Sequence, residues 1–287
     1  MRRTLEPLHS GSATQLRREL SARNLQRATA HEHETTYGNT PAVLYQADGD
    51  AHGNFYPPAY RSILRNEEWR ERLGKAYTAS NRIARSHDRQ RFELDCCNSS
   101  DALLMSIFCH APVRRSPKLR ALLGISAEKP EFGARAHVPL LKDLLDRTEI
   151  DLVLREGDDT LLVEAKLTES GFQRARPALL ERYPTFEQVF LRDALPRSGS
   201  DFAAYQLIRC TLAADHHDAG FAVLVDARRP DLQETTFRVF AAVQSSQLRS
   251  RLHLYTWQEI AACVPRPLQR FLADKYGIHV PLRQSDA

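Results

Sequence analysis

The sequence predicts an α/β sandwich built on a mixed sheet, and three observations predict it. Thr148-Glu149-Ile150-Asp151-Leu152-Val153-Leu154 and Leu161-Leu162-Val163-Glu164-Ala165-Lys166 read as adjacent strands. Between them Arg155-Glu156-Gly157-Asp158-Asp159 is turn chemistry, with a glycine available for positive φ. Further on, Gly220 opens the wholly apolar run Phe221–Val225, the composition of a strand buried on both faces. Apolar residues at helical spacing lie between, in Asp201–Asp215, so a helix crossover should carry the chain from the hairpin into the same sheet.

The remaining elements follow in chain order. Residues 1–36 are polar and Arg-rich and predict a flexible segment, with a helix possible near Ala13–Ala30. His31 and His33 flank Glu32 there, and a solvated tail accounts for them more simply than a metal site. Residues 37–75 hold Gly, Pro, Asn and aromatics and predict an irregular segment wrapped on a core. A helix is expected over Ala59–Leu73, where Tyr60, Ile63, Leu64, Trp69 and Leu73 keep helical spacing. Asn98 or Ser99 should cap a buried helix through Phe108, and Ala134–Leu140 reads as a strand leading to the hairpin. Residues 174–200 are punctuated by Arg and Pro and predict irregular or partly helical chain. Helices near Asp231–Gln244, Trp257–Cys263 and Pro267–Tyr276 and a strand at Leu252–Thr256 complete the pattern, with Gly277 as a helix stop. Residues 37–287 are thus expected to form a single domain with its core at about 98–256.

Bulk properties narrow the class. The chain has 287 residues, enough for a substantial core. A net charge of +4 suits a polyanionic partner without requiring one. Arginines number 34 and lysines six, so a lysine set among acids stands out, and Lys166 is one of the six. The five cysteines, Cys96, Cys97, Cys109, Cys210 and Cys263, form no C-x-x-C pair, which argues against zinc and for reduced thiols. No stretch approaches the length of a membrane span and the N-terminus lacks a signal-peptide core, so a cytoplasmic location is expected.

The hairpin carries the chemistry. Period-two alternation sets Glu149, Asp151 and Val153 on one face of the first strand, and Glu164 and Lys166 on one face of the second. Paired, these strands bring two carboxylates and an ammonium to one spot. Two acids suit a hard divalent cation such as Mg²⁺, with Mn²⁺ as a substitute, and the Ala165 carbonyl is a third candidate ligand. Lys166 would orient or deprotonate the attacking water, or neutralise a phosphate. The competing reading is an exposed ion pair that contributes little. The strongly apolar residues between the motif positions weigh against it.

Asp151 followed by Glu164-Ala165-Lys166 resembles the core of the PD-(D/E)XK nuclease superfamily. Asn98-Ser99-Ser100-Asp101-Ala102-Leu103, the Glu164–Glu169 stretch and Tyr205-Gln206-Leu207-Ile208-Arg209 are similar to a bacterial family of restriction-endonuclease-like proteins. His52-Gly53-Asn54-Phe55 and the ending from Thr256-Trp257 to Ile278 also fit, so the resemblance spans about residues 40–280. It implies a restriction-endonuclease-like αβββαβ core, with an N-terminal wrapping segment and C-terminal helices. It implies Asp151 and Glu164 as metal ligands, Lys166 as the catalytic lysine, and Gln206 near the metal or phosphate. Asp101 departs from the family's Gln, as a helix cap or an added acid. The superfamily's upstream acid has no clear match; Glu93, Glu131 and Glu149 are candidates.

The implied function is metal-dependent hydrolysis of DNA phosphodiesters in restriction or defence, with RNA left open and a homodimer suggested by analogy. A structure-specific repair nuclease, an idle nucleic-acid-binding module on the same fold, and an unrelated scaffold are the rivals. His216-His217 reads as a polar loop, Phe202 and Tyr205 as core residues. Arg174, Arg176, Arg192 and Arg197 are either phosphate contacts or a solvated basic loop. No zinc finger, helix-turn-helix or GxxxxGK[ST] motif is present.

Overall fold

The structure is a computed structural model that describes residues 10–36, 41–77 and 92–281. Residues 1–9 of the expected flexible segment lie outside the described residues. The chain forms two compact units, residues 1–13 with 131–255, and residues 14–130 with 256–287.

The first unit holds the sheet. Its strands are labelled β1 (Glu131–Arg135), β2 (Val138–Leu140), β3 (Leu144–Asp146), β4 (Glu149–Glu156), β5 (Asp159–Ala165), β6 (Gly220–Val225) and β7 (Leu252–Thr256). Five of them form one sheet in the order β7-β6-β5-β4-β1. β4 is antiparallel to β1 and to β5, while β6 lies parallel to β5. The sheet is therefore mixed, as expected. The β4–β5 turn is the two-residue loop Gly157-Asp158, with Gly157 at φ 60°.

Helix α1 (Tyr205–His216) is the crossover, and α2 (Pro230–Ala241) follows β6. Leu207, Ile208, Leu212 and the α2 residues Leu232, Val239 and Phe240 pack with Val153, Leu162, Phe221, Val223 and Val225 in one core. Alternation places these strand residues on the face that Asp151 and Glu164 share. The apolar side of the hairpin and the site are thus built on one surface.

Two expectations in this unit need correction. The crossover helix begins at Tyr205, not Asp201, because Asp201-Phe202 pairs with Arg197-Ser198 as a small ribbon. The strand expected over Ala134–Leu140 is two strands, β1 and β2, divided at Ala136-His137, where His137 turns to φ 51°. The second of these pairs with β3 rather than joining the main sheet.

The second unit is mainly helical. Ser10–Ala28 forms a helix, most of the one expected near Ala13–Ala30, and it buries Leu16, Leu20 and Ala28. The expected helix Ala59–Leu73 is two, Pro57–Arg65 and Glu67–Arg72. Asn66 breaks the run by adopting extended backbone, and its side chain caps the second helix at the Trp69 N–H. Ser99 caps Ser100–Phe108 by accepting from the Ala102 N–H. Trp257–Ala262 opens with a Thr256/Glu259 capping box, and Arg266–Tyr276 ends at Gly277 with φ 62°.

Candidate active site

The β4–β5 ladder runs from Glu156↔Asp159 to Leu152↔Val163 and stops there. One further step would set Asp151 opposite Glu164. Instead Asp151 Oδ2 accepts a 2.8 Å hydrogen bond from the Ala165 N–H, across the point where the strands part. On its other side β5 keeps pairing with β6 through Leu224↔Ala165, and the Lys166 N–H donates to the Leu224 carbonyl at 2.8 Å. The fork holds Asp151 and Glu164 side by side on strands fixed by ladders on both sides.

Glu164 and Lys166 are 2% and 6% exposed, so the surface ion-pair alternative does not describe them. Their Oε1 and Nζ lie 2.6 Å apart. Glu164 Oε2 lies 3.8 Å from the Cys210 thiol. Burial on its own would lower the Lys166 pKa. Glu164, Glu169 and Asp151 outweigh it and raise the ammonium above its ordinary range. Burial first, then Glu164, raises the Cys210 thiol well above its usual value, so Cys210 faces the carboxylate as a neutral group.

Two residues fix the chain just past Lys166. Glu169 Oε2 accepts from the Leu167 N–H at 2.6 Å. Arg229, fully buried, donates from Nη1 to the Leu167 carbonyl at 3.1 Å and makes a two-pronged pair with Asp231 through Nε and Nη2. Glu169, Cys210 and Arg229 were not among the sequence-derived candidates. Glu169 closes the Glu164–Glu169 stretch that carries the family resemblance, and Cys210 is one helical turn after Gln206; these were the signals the sequence offered for them.

Gln206 lies in the first turn of α1, and its N–H is held by the Phe172 carbonyl at 2.9 Å. Its i+4 relation to Cys210 puts it on the helix face turned to β5. Ala165 meets Asp151 through its N–H, not its carbonyl.

The other candidates are engaged elsewhere. Asp101 is not the helix cap; it pairs with Arg72 at 3.0 Å and Lys75 at 2.7 Å in the second unit. Glu93 lies 3.9 Å from Lys75, Glu131 pairs with Arg155, and Glu149 lies 3.7 Å from Arg135 Nη2. His217 Nε2 sits 2.5 Å from the Ala136 carbonyl at the far end of α1 from Gln206. Phe202 is core, with the Arg197 guanidinium 3.7 Å over its ring. Arg192 is held by Glu181 and Glu187, while Arg174 and Arg176 are exposed.

Among the described residues no three His, Cys, Asp or Glu side chains gather in metal-binding geometry. The donor set here is two carboxylates, which fits a cation that takes one or two acids and retains water, as Mg²⁺ does.

A mixed five-stranded sheet with flanking helices, bearing Asp151 and Glu164-Ala165-Lys166 at its fork, is a restriction-endonuclease-like α/β fold. The family model described as restriction endonuclease associating with ARP matches residues 22–277, and the chain belongs to that family. That description suggests a nuclease or defence role, with DNA as substrate. No curated protein and no solved structure matches the chain. No helix among the described residues is long and apolar enough to cross a membrane.

Proposed function

We propose that the chain is a metal-dependent DNA endonuclease of restriction or defence type, with the β4–β5 fork as its active site. One observation carries this reading. A buried Glu-Lys pair and a second, half-buried carboxylate converge where two strands part, although burying the charged pair costs more than an apolar fork would.

Asp151 and Glu164 would hold Mg²⁺ or Mn²⁺, with a backbone carbonyl such as that of Ala165. The cation, when bound, would supply Lewis-acid activation of water and neutralisation of phosphoryl charge. Lys166, kept as an ammonium by the acids around it, presents a positive charge to the scissile phosphate. The Ala165 N–H fixes the Asp151 carboxylate, and the Leu167 clamp fixes the backbone that carries Lys166. Gln206 approaches from the first turn of α1, where it would orient the phosphate or the water.

The test is cleavage of supercoiled plasmid and of single-stranded circular DNA with Mg²⁺, Mn²⁺ or EDTA, comparing wild type, Lys166→Ala and Asp151→Ala. Metal-dependent nicking lost in both variants is expected. Binding that survives Lys166→Ala, with no cutting by wild type under any condition, would replace the nuclease reading with an idle nucleic-acid-binding module.

A further inference from the structure

The sheet unit displays an apolar projection that its core does not use. Between β2 and β3 the chain reads Leu140-Leu141-Lys142-Asp143-Leu144-Leu145, and Leu141, Leu144 and Leu145 are 51%, 50% and 51% exposed. Scattered exposed leucines are ordinary, but here Leu144 and Leu145 are consecutive on β3 and point to opposite faces of the ribbon, so with Leu141 in the turn the tip is apolar on both faces. The turn holds Lys142 at φ 64° and Asp143 at φ 53°, a conformation that non-glycine residues rarely adopt. A tight turn of this kind presents the leucines in a defined position rather than on a loose loop.

The base of the hairpin is anchored firmly. Asp146 accepts from the Tyr183 hydroxyl at 2.6 Å and from the Thr148 hydroxyl, and it lies 3.9 Å from Arg209 Nη1. Arg209 in turn stacks over Tyr205, the neighbour of Gln206. At the tip, the Leu141 N–H donates to the Arg182 carbonyl at 2.8 Å. The hairpin therefore stands beside the Gln206 end of α1. Six residue steps lead from Leu145 to Asp151, a span of at most about 22 Å even fully extended. One turn of duplex is about 34 Å long, so the tip and the fork fall within one turn.

The charges around the tip favour a polyanion. Lys142, Arg147 and Arg182 are exposed close to it along the chain or through the Leu141 contact, and Arg135 donates to the Arg147 carbonyl. Against them stand the exposed Asp143, the half-buried Asp146 near Arg209 and Glu149 beside Arg135, and Glu181, which Arg192 holds. Apolar side chains set in a basic rim are what proteins use to part base steps from a groove.

We propose that Leu141, Leu144 and Leu145 form a wedge that enters a groove of duplex DNA and unstacks a base step within one turn of the phosphate at the Asp151–Glu164 fork. The inference rests on the nuclease reading for its choice of partner. The substrate is then a duplex the protein deforms, and sequence preference arises partly from how readily a step opens.

The experiment uses the full chain in EDTA, so that binding is read without cutting. Duplexes carry 2-aminopurine at successive positions, and wild type is compared with a Leu141→Ser/Leu144→Ser/Leu145→Ser variant. Wild type should raise the fluorescence at one or two adjacent positions. The variant should abolish that rise and bind roughly tenfold or more weaker, the loss expected for withdrawing apolar side chains from contact. Circular dichroism and an unchanged unfolding midpoint would show that the exposed substitutions leave the fold intact. Equal affinity and equal fluorescence in both proteins would overturn the wedge. So would loss of self-association in the variant with no change on DNA, which would make the patch a contact between two copies. Absence of any duplex binding by wild type would overturn it as well. The two readings fail separately: plasmid nicking that Lys166→Ala abolishes, without unstacking, removes only the wedge, whereas unstacking without metal-dependent cleavage removes only the nuclease.

Discussion

Two of the six lysines are nearly withdrawn from solvent, and their surroundings are opposite. Lys166, in the sheet unit, is ringed by Glu164, Glu169 and Asp151, whose charges overcome burial and raise its pKa. Lys275, in the helical unit, is 0% exposed, and among the described residues no carboxylate contributes to its pKa shift. Its Nζ donates to Asn24 Oδ1 at 2.8 Å and lies over the rings of Tyr45 and Tyr276 at 4.9 and 4.6 Å. Burial first lowers its pKa to about 7; Arg27 adds to the lowering, while Cys97 and Cys96 oppose it. The difference teaches where charge is being concentrated for use. At Lys275 dipoles and rings make a buried ammonium just tolerable. At Lys166 acids are brought together beyond what one cation needs, the arrangement expected of a site that meets further positive charge and a phosphate.

The largest expected effect breaks the comparison at Lys166. Lys166→Met keeps the volume and leaves buried carboxylates without their cation. Removing one partner of a buried ion pair costs about 3–5 kcal/mol, so urea unfolding of the metal-free variant should show a loss of that size. Added Mg²⁺ or Mn²⁺ should restore part of it by occupying the space between the acids. DNA cleavage should fall by about 10³-fold, in the range seen when a charge-stabilising donor is removed. Stability unchanged in the metal-free variant would mean that the acids do not depend on the lysine.

Lys275→Met should act in the opposite direction, since it removes a poorly compensated charge. In the wild type the folded-state pKa is about 7, below the ordinary value of 10.5. Below pH 7 both folded and unfolded chains carry the proton, and the burial penalty is present in full. Between pH 7 and 10.5 the unfolded chain holds the proton more tightly, so stability climbs with pH by at most about 1.4 kcal/mol per unit. The variant should be more stable than wild type at pH 6, with the gap closing towards pH 10. Cys97 is held below its ordinary value, chiefly by its hydrogen bond with Cys96, and contributes a rise of the same sign. A Cys97→Ser background separates the two. A stability difference between the Cys97→Ser protein and its Lys275→Met derivative that stays constant from pH 6 to 10 would show that Lys275 keeps an ordinary pKa.

How much of this could be read from the chain follows the same division. The fork was legible because strand alternation is local: Asp151, Glu164 and Lys166 each sit on the expected face, and Gly157 marks the turn. Helix breaks were not. The apolar spacing through Ala59–Leu73 continues across Asn66, and only the backbone of that residue divides it. Phe202 mimics a helical position while belonging to a ribbon with Arg197-Ser198. The polar helix Ser10–Ala28 shows Leu16, Leu20, Asn24 and Ala28 at four-residue intervals, and all four are buried. That periodicity was visible but outweighed by composition. The partners furthest apart in sequence were the least legible: Arg229 reaches Leu167 across 62 residues, and Asn24 meets Lys275 across 251. Spacing carries no information about such contacts.

The smallest effect sharpens the comparison at one residue. Glu169 does two things: it accepts from the Leu167 N–H, and it is one of the acids that hold Lys166 charged. Glu169→Gln retains an oxygen for the N–H and removes the charge, whereas Glu169→Ala removes both. If Glu169 acts by positioning Lys166, the Gln variant should keep cleavage within about tenfold of wild type, since a neutral acceptor forfeits only the part of the bond that charge adds. The KM for DNA should hardly move, and unfolding should shift by less than about 1 kcal/mol. The Ala variant should be the worse of the two, because the Leu167 N–H then loses its acceptor, leaving the Arg229 bond to the Leu167 carbonyl and the Lys166 N–H bond to Leu224. A Gln variant as inactive as Lys166→Met, yet stably folded, would instead make Glu169 a participant at the fork itself. The three acids would then be a ligand set rather than two ligands and a brace.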